Sequence, residues 1–71
     1  MEKTKQLLFK ALKSKYQAEI DDSLARLSVY STNAVGIGEH PQITEEMDKL
    51  VEQFVNANDK LSALDDILTK Y

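Results

Sequence analysis

Seventy-one residues with no cysteine, one histidine and a formal net charge of −3 allow one small domain, residues 1–71. They exclude disulfides, thiolate zinc sites and a histidine-rich metal centre within a single chain. The mild acidity argues against a nucleic-acid module that works through a strongly basic surface, and no apolar run approaches the ~20 residues of a membrane span.

Charge is unevenly placed. Residues 1–15 carry Lys3, Lys5, Lys10, Lys13 and Lys15 against Glu2 alone, a balance of +4, while residues 16–71 balance to −7. Leu7-Leu8-Phe9 is cut off by Lys10 and makes no signal-peptide core, so the expected location is cytoplasmic.

The first helix is expected over about residues 4–32. Thr4 is its candidate N-cap, without the Glu or Gln three residues later that completes a capping box. Leu8/Phe9, Leu12, Tyr16, Ile20, Leu24, Leu27 and Tyr30 recur at intervals of three or four and predict one apolar stripe. The steps from 12 to 24 are all fours, so this stripe drifts around the helix. Beside it, Ala11, Ala18 and Ala25 recur every seven residues, flanked by Leu8 and Val29. Small residues at that spacing admit a second helix closely; alanine is also simply the best helix former.

The turn is placed at residues 33–41, Asn-Ala-Val-Gly-Ile-Gly-Glu-His-Pro, which holds both glycines, the only proline and the only histidine. Three readings fit it. Gly36 in the left-handed region ends the first helix, Ile37 folds back, Gly38 lets the chain reverse and Pro41 opens the next helix. Alternatively, the backbone N–H groups of Gly36-Ile37-Gly38 form an anion nest to which Asn33 and His40 add contacts, although Glu39 opposes an anion. Or the tip, with Val35, Ile37 and His40, meets another protein.

The second helix is expected over about residues 41–70, starting at Pro41 or capped by Thr44. Ile43, Met47, Leu50, Phe54, Ala57, Leu61, Leu64, Leu68 and Tyr71 are spaced 4, 3, 4, 3, 4, 3, 4, 3, the alternation of a coiled-coil seam. Val51 and Val55 widen it on one side.

Two helices of about 43–45 Å at 1.5 Å per residue predict an all-α antiparallel hairpin. The lysine-rich start then lies beside Asp59, Asp65 and Asp66. Their apolar faces are too wide to cover each other, and one core in so short a chain seldom supplies more than ~3–5 kcal/mol. Association into a helical bundle is therefore expected, as a dimer or higher homo-oligomer, with Ala11, Ala18, Ala25, Val51 and Val55 as the candidate interface. A third use of the N-terminal lysines, binding DNA or RNA, ranks last because the hairpin sets acidic residues beside them.

Chemistry is sparse. Asp21-Asp22, Glu45-Glu46 and Asp65-Asp66 are neighbours about 100° apart on a helix, which does not form an acid/base dyad. No Glu-x-x-His pattern of a di-iron bundle occurs in the second helix, and the serines and threonines lack a histidine at catalytic spacing. No enzyme, catalytic residue, metal or cofactor is expected.

The phrase Asn33-Ala-Val-Gly-Ile-Gly-Glu-His-Pro41, with Glu45-Glu46-Met47-Asp48-Lys49-Leu50 and Asn58-Asp59-Lys60-Leu61, resembles short helical proteins of tailed bacteriophages. The resemblance covers about residues 30–64. That family has no established activity, so no site residue carries over. It implies a viral accessory protein in the host cytoplasm that acts by binding a host or viral protein. The alternative is an oligomeric sponge for a small anionic ligand such as a signalling nucleotide.

Overall fold

The computed structural model describes residues 2–32 and 42–70, and both stretches are helical. α1 spans Glu2–Thr32 and α2 spans Gln42–Lys70. They pack antiparallel as a helical hairpin measuring 54 × 16 × 13 Å. Among the described residues there is no strand.

The helix starts differ from expectation. α1 is already helical at Glu2, so Thr4 lies in the first turn and does not cap it. Good helix formers on both sides of Thr4 outweigh a cap signal that lacks its box partner. α2 is helical from Gln42, which places Thr44 inside its first turn and overturns it as a cap. Glu45 then lies in that first turn and Lys70 in the last, each matching the sign of the helix dipole.

The seam of α2 is the one its spacing predicts. Ile43, Met47, Leu50, Phe54 and Leu61 are half-buried, and Ala57 and Leu64 are buried. Leu68 is exposed, where the hairpin opens.

α1 departs from its predicted stripe. Leu8, Leu12 and Leu24 are exposed, while Ser23 is fully buried. The residues turned toward α2 are Phe9, Tyr16, Ile20, Ser23, Leu27 and Tyr30. Their steps of 7, 4, 3, 4, 3 make a regular heptad, with Lys13 at the position skipped after Phe9. A helix that faces one partner along its whole length must keep this alternation. The all-fours line through Leu24 would instead have rotated away.

Two small residues are buried between the helices at mid-length. Ser23 and Ala57 are both 0% exposed, and Ile20 beside them is 7% exposed. The Ser23 hydroxyl donates to the Ile20 carbonyl at 2.8 Å, so its burial leaves no polar atom unsatisfied.

Gln53 shows how near the helices come. Its amide donates to the Glu19 backbone carbonyl at 2.9 Å and to the Asp22 carboxylate at 3.1 Å. A helical carbonyl has a second lone pair for such a bond. Toward the open end, the Lys60 ammonium lies 5.8 Å from the Tyr16 ring centroid, a cation–π distance. Arg26–Asp22 at 3.0 Å and Lys49–Glu46 at 3.6 Å are ion pairs along single helices. Both are solvated and contribute little to stability.

The Gln53 and Arg26 hydrogen bonds hold the Asp22 carboxyl below its ordinary value of 3.8. A depressed folded pKa adds stability that is fully present above the unfolded value and lost as pH falls through the folded one. Urea melts followed by circular dichroism will therefore lose part of the hairpin's stability as pH drops below about 4. Asp22→Asn will remove part of that acid-side slope.

Candidate interaction surfaces

The turn candidates Asn33, Gly36, Ile37, Gly38, Glu39 and His40 lie outside the described residues. The five candidate interface residues are all described and all exposed, but they do not form one surface. At about 100° per residue, Ala11, Ala18 and Ala25 lie opposite the strip of α1 that meets α2. The alanine line was expected beside the apolar stripe; it is on the other side of the helix.

Val51 and Val55 border the seam of α2 on a flank of the hairpin, 47% and 46% exposed. Leu24 belongs with them. Gln53 sits across from Glu19 and Asp22, so Leu24, two residues past Asp22, comes level with Val51. Reading Leu24 as core concealed this patch from the sequence.

The open end was also missed. Leu7, Leu8, Leu12, Ile67 and Leu68 are all exposed where α1 begins and α2 ends. There α1 is inverted relative to its middle. Gln6, Phe9, Lys10 and Lys13 line a shallow groove with Leu68 of about 320 Å³, while Leu7 and Leu8 point to solvent. The lysine-rich start does meet the end of α2, as the antiparallel reading requires.

The outer faces of the two helices differ in kind. Glu45, Glu52, Asp59 and Asp66 recur every seven residues along α2, opposite its seam, and keep that side solvated. α1 carries alanines and aliphatics on its outer side. It is thus apolar on two opposite faces, whereas α2 is amphipathic in the ordinary way.

Among the described residues, no group of three or more His, Cys, Asp and Glu is placed to hold a metal ion. No described helix is long and apolar enough to cross a membrane. Asp21 accepts a hydrogen bond from Gln17 at 3.2 Å, and Asp22 accepts from Arg26 and Gln53. Both carboxylates are thus engaged in helix and hairpin contacts. No family model, curated protein or solved structure matches the chain.

Proposed function

We propose that this chain is a non-enzymatic helical-hairpin module that completes its fold by associating with its own copies and acts by binding another protein. The observation that supports this is the apolar surface left open. Among the described residues, Ile20, Ala57 and Leu64 are the buried hydrophobic ones, against nine large ones exposed. The accessible surface is 5739 Å², where a compact monomer of this mass exposes about 4,450 Å². Exposed apolar residues on this scale mark interaction sites. The resemblance of the turn region to small phage proteins points to an accessory role in an infected bacterial cytoplasm, with a host or viral protein as partner.

The groove at the open end favours a second reading, the sequestration of a small anionic ligand. Lys10 and Lys13 bring two positive charges to a wall that also holds Phe9 and the Gln6 amide, a combination suited to a phosphate and an aromatic base. Native mass spectrometry of the chain expressed in bacteria, with thermal shift against cyclic and linear nucleotides, separates the two. The interaction module predicts an oligomer and a flat panel. A ligand sponge predicts a raised melting temperature for some nucleotides, abolished by Lys10→Ala with Lys13→Ala.

A further inference from the structure

The outer face of α1 reads Leu8, Ala11, Lys15, Ala18, Asp22, Ala25, Val29, with steps of 3, 4, 3, 4, 3, 4. This is a second seam centred away from α2, with Asp22 at its edge, where the carboxylate also accepts from Gln53 of α2; its two large aliphatics are 63% and 58% exposed. It is also self-complementary. From Ala18 toward the start of α1 come Lys15, Ala11 and Leu8; toward its end come Asp22, Ala25 and Val29. Each half is a charge, an alanine and a large aliphatic, and the two charges are opposite.

We propose that two hairpins join back to back, α1 against α1 and antiparallel, about a twofold axis at Ala18. This rests on the self-association reading above and gives it a surface and a register. With the axis at Ala18, Ala11 of one copy comes level with Ala25 of the other. Leu8 comes within one residue of Val29, and Lys15 lies beside Asp22, twice by symmetry. The alanines let the axes approach to the short end of the 8–10 Å range, over a seam of about 32 Å from residue 8 to residue 29.

The charges choose this arrangement over the alternatives. In a parallel pair in register, Lys15 meets Lys15 and Asp22 meets Asp22. Packing the face on the outer side of α2 sets Asp22 against the line of Glu45, Glu52, Asp59 and Asp66. Of these, only the antiparallel pairing of α1 with itself sets Lys15 against an opposite charge, on an Asp22 that also pairs with Arg26 of its own helix. Asp22 is oriented beforehand, since Arg26 donates to Oδ1 at 3.0 Å and Gln53 to Oδ2 at 3.1 Å, and a carboxylate has further lone pairs for a lysine. The resulting layer, α2–α1–α1–α2, leaves the Leu24–Val51–Val55 flank uncovered for a different protein.

A charge swap followed by sedimentation velocity tests the register. Lys15→Asp and Asp22→Lys should each raise the dimer Kd about tenfold or more, because each sets like charges together at two symmetric places. The double variant should recover most of that loss, short of the contacts to Arg26 and Gln53 that Asp22 makes within its own hairpin. As a second measure, Ala18→Cys should give a disulfide-linked dimer under mild oxidation, and Asp59→Cys on the outer line of α2 should not. Dimers that persist unchanged in both single variants, or a double variant no tighter than either, overturn the register while leaving self-association standing. A chain that is monomeric at every concentration overturns self-association as well. Far-UV circular dichroism confirms that each variant is helical.

Discussion

Replacing Ile20 with alanine will unfold most of the hairpin at low micromolar concentration. Ile20 is 7% exposed and is buried between the helices with the two fully buried small residues, Ser23 and Ala57. Truncating a buried isoleucine to alanine costs about 2–5 kcal/mol, while one core of this size supplies only about 3–5 kcal/mol. Urea titration followed at the far-UV helix signal should show the loss, with both chains held at one concentration because association adds to apparent stability. Leu24→Ala, only four residues on, should change stability by about 0.5 kcal/mol or less, since Leu24 is 49% exposed. Equal losses for the two would mean that the strip facing α2 runs through Leu24 after all.

The second large effect is on assembly. In the proposed dimer, Ala18→Glu puts a carboxylate from each copy at the twofold axis and widens the closest part of the seam. Like charges brought together across an interface cost several kcal/mol, so the dimer Kd should rise about 100-fold or more. Helix content should stay high, because Ala18 is exposed and faces away from α2. Sedimentation will show whether the variant runs as a monomer where the unmodified chain does not. An unchanged oligomer would remove the outer face of α1 from the interface.

How much was legible in the sequence differs between the helices for a physical reason. α2 has one apolar face and a charged line opposite, so spacing alone locates its seam from Ile43 to Leu64. α1 has aliphatics or alanines on two opposite sides, and a hydrophobic stripe drawn through them has no unique path. The choice of Leu24 over Ser23 followed hydrophobicity, but the strip that α2 covers runs through the small Ser23. A hydroxyl that bonds its own helix's Ile20 carbonyl can be buried there without penalty.

Cross-helix polar contacts were hidden for another reason. Gln53 meets Glu19 and Asp22 only once the register of the hairpin is known, and no local pattern carries that register. The antiparallel orientation was legible, and Lys10 and Lys13 border Leu68 at the open end, but Asp59 and Asp66, expected beside the lysines, lie on the outer line of α2. The five candidate interface residues are exposed but fall on two surfaces. Ala11, Ala18 and Ala25 form one surface, and Val51 and Val55 belong to another with Leu24.

That the hairpin is completed by its own copies is tested most directly by sedimentation equilibrium of the unmodified chain, paired with thermal melts from micromolar to millimolar concentration. Completion by association predicts a dimer or higher oligomer and a melting temperature that rises with concentration. A monomer across the whole range, melting at one constant temperature, would contradict it.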